Sequence, residues 1–189
     1  MATKTILGFV GMPGCGKSTL ADFAVQKYGA MKIHLADFIW DWLARQGIKP
    51  SEESGLMASL FMWAEYGDIP IAKWAEDRIK KSKTNLIILD SLRTLEEARE
   101  FQIKYGENFH LIAILAAPAI RLKRLQARAR FGAISKLEFR MRDRSELRLG
   151  VGDLIASSNH YIVANGTLKE TQAQFEKLLK SFGISSKTH

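Results

Sequence analysis

Cysteine is nearly missing from this sequence, which has one, Cys15, in 189 residues. A single cysteine excludes a framework of intramolecular disulfides and is typical of a reducing compartment. The chain also lacks any run of about 18 apolar residues, the length that a membrane-spanning helix needs. Its N-terminus has no long apolar segment of the kind found in secretory signals. We therefore expect a cytoplasmic protein with no membrane partner.

Repeats, low-complexity linkers and signs of a second domain are missing as well. The hydrophobic fraction of 47% and the charged fraction of 25% are ordinary for a folded globular chain. A chain of this length can bury a substantial core without disulfides or metals. We expect residues 1–189 to form one domain with two insertions, at about 37–82 and about 129–150.

Positive charge is distributed unevenly along the chain, whose net charge is +8. From Arg121 to Arg148 ten basic residues face three acidic ones, so this segment carries +7 of the total. Between Asp37 and Lys80 the balance reverses, with eight acids and five bases. The first of these segments is suited to binding anions, and the second is not.

Five short apolar runs predict a parallel β-sheet. They are rich in Ile, Leu and Val and lie at about 5–10, 31–35, 86–90, 109–115 and 160–163. Such runs, separated by helical segments, are typical of a parallel sheet with helices on both faces. Thr94 with Glu97 and Thr167 with Glu170 have the spacing of a capping box and mark helix starts. The predicted fold is therefore α/β, with a five-stranded parallel sheet between two helical layers.

A phosphate-binding loop follows the first predicted strand. Residues Gly11 to Ser18 read Gly-Met-Pro-Gly-Cys-Gly-Lys-Ser, a complete G-x-x-x-x-G-K-[ST] motif in the strand–loop–helix setting that it requires. The glycines let successive N–H groups point at a phosphate chain, and the helix N-terminus adds partial positive charge. We predict that a nucleoside triphosphate binds here, with Lys17 on its phosphates and Ser18 on Mg²⁺. The residues expected to contact it are Gly11, Met12, Pro13, Gly14, Cys15, Gly16, Lys17, Ser18 and Thr19.

Charged residues follow two other predicted strands, at the sheet edge where ligands bind in α/β folds. Asp90 ends the 86–90 run and has the form of a second magnesium-associated motif. Arg93, three residues later, can donate two hydrogen bonds to a phosphate. Asp37 follows the 31–35 run, and two interpretations stay open for it. It is either a helix N-cap or a carboxylate that binds the acceptor and acts as general base for a hydroxyl.

Arginines at helical spacing fill the basic segment. Two sets each share a helical face: Arg121, Arg124 and Arg128, and Arg140, Arg144 and Arg148. Like charges at this spacing cost about 0.2–0.5 kcal/mol per pair unless an anion offsets them. A mobile lid that brings arginines onto a transferring phosphoryl group explains the crowding, and a nucleic-acid surface is the competing interpretation. Arg142 differs, because Glu138 and Glu146 both lie four residues away.

These residues together resemble the nucleoside monophosphate kinase superfamily, and within it an archaeal group of P-loop kinases related to adenylate kinase and dephospho-CoA kinase. The phosphate loop is similar to that group's G-M-P-G-S-G-K-S, with Cys15 in place of serine. The segment Asp90-Ser91-Leu92-Arg93 is similar to its D-G-I-R. Segments 118–130, 142–143, 150–152 and 161–166 follow the order of its later motifs. The resemblance spans nearly the whole chain.

The resemblance implies a P-loop three-layer fold with a helical acceptor-binding insertion, an arginine-rich lid, ATP as donor and Mg²⁺ as metal. It implies that Lys17, Ser18 and Asp90 hold ATP and the metal, and that Arg93 binds the acceptor. The implied lid arginines are Arg124, Arg128 and Arg142, of which Arg124 also contacts the nucleotide. The loop around Asn165 and Gly166 is implied to border the adenine. Asp37 is similar to the aspartate that is the expected base in dephospho-CoA kinases.

Two departures from the group concern the acceptor. Its D-V-V-R and L-R-E-x-Y-G motifs place arginines where this chain has Trp40 and Trp63. Dense aromatic residues more often pack than bind, but a stacked ring would use these indoles equally well. We predict an acceptor other than a simple nucleoside monophosphate, either less anionic or with a ring that stacks on Trp40 and Trp63.

The sequence therefore predicts an ATP- and Mg²⁺-dependent small-molecule phosphotransferase, monomeric or homodimeric, in which closure of the lid excludes water. Its acceptor is a nucleotide or a nucleotide-like compound. One alternative changes the acceptor to dephospho-CoA or another alcohol activated by Asp37. The other changes the class, to a nucleic-acid-binding or regulatory ATPase that uses the basic helices.

Overall fold

A five-stranded sheet forms the centre of the protein in the computed structural model, which describes residues 4–67, 69–128 and 134–186. The strands are β1 (Thr5–Val10), β2 (Met31–His34), β3 (Leu86–Asp90), β4 (Phe109–Leu115) and β5 (His160–Val163). They lie in the order β2-β3-β1-β4-β5, and every neighbouring pair is parallel. The predicted runs and the α/β class are confirmed.

Helices connect these strands. They are α1 (Lys17–Tyr28), α2 (Ala36–Arg45), α3 (Glu52–Tyr66), α4 (Ile69–Lys81), α5 (Leu95–Tyr105), α6 (Pro118–Arg128), α7 (Lys136–Arg148), α8 (Val151–Ala156) and α9 (Leu168–Ser181), with a 3-10 turn at Gly106–Asn108. Thr167 and Glu170 form the predicted capping box at α9. At α5 the Thr94 side chain accepts the Glu97 N–H, but the Glu97 carboxylate accepts the N–H of Arg93 instead.

The sheet is buried on both faces, because successive side chains of a strand point to opposite sides. On one face Ile6 packs in a core with residues of α4, α5 and α8, including Phe101 and Leu154. On the other face Leu7 packs in a core with residues of α1 and α9, including Phe175. The predicted arrangement of helices on both faces is confirmed.

The 37–82 segment contains most of α2 and all of α3, and these two helices share a small core of their own. That core consists of Ile39, Leu43, Ala58 and Met62. Trp42 and Trp74 pack against aromatic rings nearby. The Trp42 ring stacks on Phe61 with 5.7 Å between centroids, and Trp74 meets Phe38 edge to face at 5.9 Å. Packing therefore accounts for Trp42 and Trp74.

The 129–150 segment is represented chiefly by α7, since residues 129–133 lie outside the described part of the chain. A capping box formed by Ser135 and Glu138 begins this helix. Within the described residues, no helix combines the length and apolar character needed to cross a membrane.

Candidate active site

The phosphate loop connects β1 to α1 and leaves the start of that helix open. Gly16 occupies the N-cap position with a left-handed φ of 111°, and no side chain caps the helix there. The first N–H groups of α1 therefore remain available to an anion. Gly11 is confined in a different way, because a Cβ atom there would lie 2.3 Å from the Ile114 carbonyl oxygen. This spacing lets the loop turn directly over the end of the sheet.

Lys17 folds back over the loop. Its Nζ donates to the Gly11 carbonyl oxygen at 2.6 Å and lies 3.7 Å from Cys15 Sγ. Cys15 is fully buried and packs in the core between the sheet, α1 and α9, so its side chain serves packing. The Lys17 ammonium is thus held by the loop that is expected to bind phosphate.

Asp90 is a fully buried carboxylate at the end of β3, beneath the loop. Burial raises the pKa of Asp90. The contact with His34 and the nearby Lys17 and Ser18 outweigh this effect and lower the pKa to about 2. His34 Nδ1 lies 3.2 Å from Asp90 Oδ2, yet neither atom has a hydrogen-bond partner among the described residues. The Ser91 hydroxyl donates to Oδ1 at 3.1 Å. Asp90 is therefore ionised and has one oxygen with spare capacity to accept.

A cavity of about 470 Å³ lies over the loop and brings together most of the predicted residues. Those on its wall are Gly11, Pro13, Gly14, Cys15, Gly16, Lys17, Ser18, Thr19, Trp40, Arg93, Arg124, Arg128 and Arg142. Met12 instead packs against the core beside α4, α5 and α8. Ala164 and Leu168, which flank Asn165 and Gly166 in the sequence, line the cavity as well.

Asp37 lies in the first turn of α2 and is exposed. It lines a neighbouring groove that it shares with Asp41, Trp74 and Arg78. Ala36 and Trp40, on the same helix, line the cavity over the phosphate loop. Asp37 and Trp40 both belong to α2, but of the two only Trp40 lines the cavity over the phosphate loop.

Arg93 connects three helices at the edge of the cavity. Its backbone N–H donates to Glu97 Oε2 at 2.8 Å, which fixes the residue at the start of α5. Its Nη1 donates to Ser59 Oγ at 3.3 Å on α3, and its Nε lies 3.4 Å from Glu146 Oε2 on α7. The helical spacing of Glu146 from Arg142 gave no sign of this contact. Glu146 is therefore a site residue that sequence reasoning missed.

Two arginines of α6 point inward. Arg124 donates to the carbonyl oxygens of Cys15 at 3.2 Å and Ala164 at 2.8 Å, so it joins the phosphate loop to the loop after β5. Arg121 is 4% exposed and pairs through both terminal nitrogens with Asp143 at 2.7 and 2.6 Å. It also donates to the Pro13 carbonyl oxygen at 3.2 Å. These contacts turn part of the basic α6 face toward the loop.

A second cavity, of about 410 Å³, lies between α2, α3 and α7. It shares Ala36, Trp40, Arg93, Arg142 and Glu146 with the first, so the two cavities adjoin. Trp63, on α3, is 54% exposed and lines a small groove beside Arg93. Trp40 thus belongs to both cavities, and Trp63 lies outside them.

His34 and Ser91 are two further residues that the sequence interpretation overlooked. His34 pairs with Asp90 in the β2–β3 register, which places its ring against the buried carboxylate. Ser91 has a φ of 78°, a conformation that favours glycine and is rare for other residues. A parallel alignment of the two strands was the signal that could have found His34.

Acid titration should reveal the low pKa of Asp90. A carboxyl with a folded pKa of about 2 and an ordinary value of 3.8 stabilises the fold above pH 4 and loses this contribution as the pH falls toward 2. The full contribution is about 2 kcal/mol, of which about half is lost by pH 3. The free energy of unfolding can be measured by urea denaturation with EDTA at pH 5, 4 and 3. Between pH 5 and pH 3 it should fall by about 1 kcal/mol more for the wild type than for Asp90→Asn. Asp77→Asn, which removes an exposed carboxylate instead, is the control and should keep the wild-type loss of stability. Parallel curves for the wild type and Asp90→Asn would contradict the assignment.

The sequence of this chain is similar to that of known protein families. The pattern of the AAA domain family matches residues 10–138. A UPF0200 protein of Methanosarcina barkeri is 33% identical over 94% of this chain and 95% of its own.

Solved structures with the same fold include two kinases. Shikimate kinase from Bacteroides thetaiotaomicron superposes with a TM-score of 0.58 at 13% identity, covering 95% of this chain and 99% of its own. A gluconokinase from Sinorhizobium meliloti has a TM-score of 0.57 at 12% identity, with 95% of each chain covered. The fold is that of P-loop kinases, which are nucleotide-binding proteins. By sequence, the chain belongs to the AAA domain family and to the UPF0200 proteins.

Proposed function

We propose that this protein is an ATP- and Mg²⁺-dependent phosphotransferase that acts on a small molecule. The observation that carries the proposal is the pair of adjoining cavities, one over the phosphate loop and one between α2, α3 and α7. Arg93 and Glu146 line both cavities and mark the place where the two adjoin. A donor and an acceptor bound in them would approach each other at this junction, and such positioning is the main task of a phosphoryl-transfer enzyme.

The donor half of the proposal rests on the loop and α1. The uncapped N–H groups of α1 and the Lys17 ammonium provide positive charge for the phosphates. Arg124 and Arg128 line the same cavity and belong to the helix that follows β4. Arg124 is already fixed by two carbonyl oxygens, whereas Arg128 is exposed. We assign the nucleobase to the end near Ala164 and Leu168, where Asn165 accepts the N–H of Ala117 at 2.8 Å.

The chain's own donors fit a magnesium ion that is shared with the phosphates. Asp90 supplies a buried ionised carboxylate with an unpartnered oxygen, and Ser18 supplies a hydroxyl beside it. No group of three or more His, Cys, Asp and Glu within the described ranges could hold a metal by itself. Mg²⁺ commonly binds through one or two protein ligands plus substrate phosphates, which suits this set. When bound, the ion neutralises phosphate charge that develops during transfer.

The basic helices favour a small-molecule site over a nucleic-acid surface. Arg121 and Arg124 direct their guanidinium groups to backbone oxygens of the phosphate loop, and Arg128 and Arg142 line its cavity. In the proposed enzyme Arg142, on α7, moves with the lid and approaches the transferring group. Arg93 contacts the acceptor. Asp37 as general base remains the alternative, and it requires that α2 turn toward the phosphates.

A turnover assay tests the proposal. With MgATP, a small-molecule acceptor should raise ADP formation at least about tenfold over the acceptor-free rate, because lid closure disfavours transfer to water. The panel should include AMP, CMP, adenosine, cytidine and dephospho-CoA. Raising the salt from 50 to 200 mM should change the rate by less than about threefold, whereas RNA-dependent ATPase activity would fall steeply. ADP formation that only RNA stimulates would replace the kinase with the ATPase alternative.

A further inference from the structure

We propose that the cavity between α2, α3 and α7 binds a ring-bearing alcohol without a phosphate group, and that Glu146 holds the hydroxyl that accepts the phosphoryl group. The proposal rests on the proposed function and specifies its acceptor. It depends on three features of the site: the charge on the cavity wall, the pairing of Arg93, and the position of Trp40.

The cavity wall has no excess of positive charge. Three carboxylates and two guanidinium groups line it, from Glu53, Glu138, Glu146, Arg93 and Arg142. The remaining wall is mostly apolar and comes from side chains such as Ile39, Leu56 and Met141. A phosphate monoester carries close to two negative charges and needs more positive than negative groups around it. This wall instead suits an uncharged molecule with an apolar body.

Arg93, the cation best placed to bind an acceptor phosphate, already has a carboxylate. Glu146 Oε2 lies 3.4 Å from its Nε, and the Glu146 side chain is only 13% exposed. A phosphate brought to Arg93 would meet this carboxylate in a partly desolvated setting, where repulsion between like charges is strong. Glu146 therefore excludes a phosphate from the position where an arginine alone would attract one.

Trp40 forms a flat wall that is fixed in place. Its indole lies so close to α3 that a Cβ atom at Gly55 would be 2.3 Å from the ring. Glycine inside a helix costs about 0.5–1 kcal/mol relative to alanine, and here it gives the indole room to lie against the helix backbone. Trp40 borders both cavities, so a ring stacked on it lies next to the cavity over the phosphate loop.

Glu146 is placed to act on a hydroxyl at the junction of the cavities. It lines both, whereas Asp37 is exposed and lines neither of them. In the proposed step the acceptor hydroxyl oxygen bonds to the γ-phosphorus and its proton passes to the Glu146 carboxylate. The bond from that phosphorus to the β–γ bridging oxygen breaks, and its electron pair leaves with ADP. The proton then returns to solvent from Glu146.

Matched pairs of compounds test this specificity by calorimetry. The pairs are adenosine and AMP, cytidine and CMP, and inositol and inositol monophosphate, each added to protein saturated with a non-hydrolysable ATP analogue and Mg²⁺. The analogue blocks the donor site and reports on the proposed function separately. At least one uncharged member should bind at least about tenfold more tightly than its phosphorylated partner.

Variants of the carboxylates identify the residue responsible. Glu146→Gln should reverse the preference, by weakening the uncharged ligand about tenfold and strengthening its phosphorylated partner about tenfold. Glu65→Gln removes the same charge from an exposed site on α3 outside both cavities, and should shift either affinity less than threefold. Glu146→Asp keeps the charge and should keep the preference, which controls for misfolding of the glutamine variant.

Three results would overturn the inference while leaving the donor site intact. They are tighter binding of the phosphorylated members by the wild type, unchanged preferences in Glu146→Gln, and binding of none of the six compounds. Failure of the ATP analogue to bind would instead refute the proposed function.

Discussion

Replacing Lys17 with alanine should lower ADP formation by about a hundred- to a thousandfold, the typical cost of removing one preorganised charged donor from a transition state. Among the described residues, the Lys17 ammonium donates its hydrogen bonds to the loop around it, to the Gly11 carbonyl oxygen at 2.6 Å and more weakly to Met12 and Cys15. Because these hydrogen bonds stay within one loop, the thermal midpoint should stay close to that of the wild type. The loss should appear in both kcat and the affinity for MgATP, because the charge acts on phosphates in the ground state and in transfer.

Lys27 provides the control for that variant. It lies on the same helix, α1, but at the opposite end, and it pairs with Glu176 of α9. Lys27→Ala removes the same charge from the same element and should change turnover less than twofold. If Lys17→Ala binds MgATP and forms ADP within threefold of the wild type, the loop does not have the role proposed for it.

Features with a local signal could be predicted from the sequence. The five strands were found from short runs of branched apolar residues, because in a parallel sheet covered on both faces nearly every strand residue is buried. The phosphate loop was found because its function depends on a fixed order of glycines, lysine and serine. The Thr167 and Glu170 capping box is equally local, and the structure has it at the start of α9.

Contacts between distant segments could not be predicted in the same way. Glu146 has Arg142 four residues before it, which is the natural partner within a helix, yet its carboxylate meets Arg93, 53 residues earlier in the sequence. Asp37 and Trp40 share the start of α2, and the orientation of that helix determines which of them lines the cavity over the phosphate loop. That orientation depends on the core that α2 forms with α3, which has no signature in a single segment.

The same reasoning applies to Arg121, which helical spacing placed among the crowded arginines of the basic face. In the structure its charge is compensated by Asp143. The centroid of the Phe139 ring lies 4.9 Å from its guanidinium carbon. Through the Pro13 carbonyl oxygen it also contacts the phosphate loop. The pair therefore connects α6, α7 and the loop, and its loss should affect stability and nucleotide binding together.

Replacing Asp143 with alanine should lower the free energy of unfolding by about 3–5 kcal/mol, because it leaves the charge of Arg121 buried without a counterion. Urea denaturation measures this loss, and Asp77→Ala is the matched control. Asp77 lies 3.8 Å from Lys80 with both side chains exposed, so its removal should cost less than about 1 kcal/mol.

A double variant separates the charge effect from lost packing. Arg121→Met with Asp143→Leu removes both charges and fills the space with apolar atoms, and should recover at least half of the stability that Asp143→Ala loses. Recovery is incomplete because the Pro13 and Ala116 carbonyl oxygens lose the donor that Arg121 gave them. The affinity for MgATP should stay reduced in the double variant, since the Pro13 carbonyl oxygen of the loop has lost its contact with Arg121 of α6. If Asp143→Ala costs no more than Asp77→Ala, the Arg121–Asp143 pair does not hold α7 against the phosphate loop.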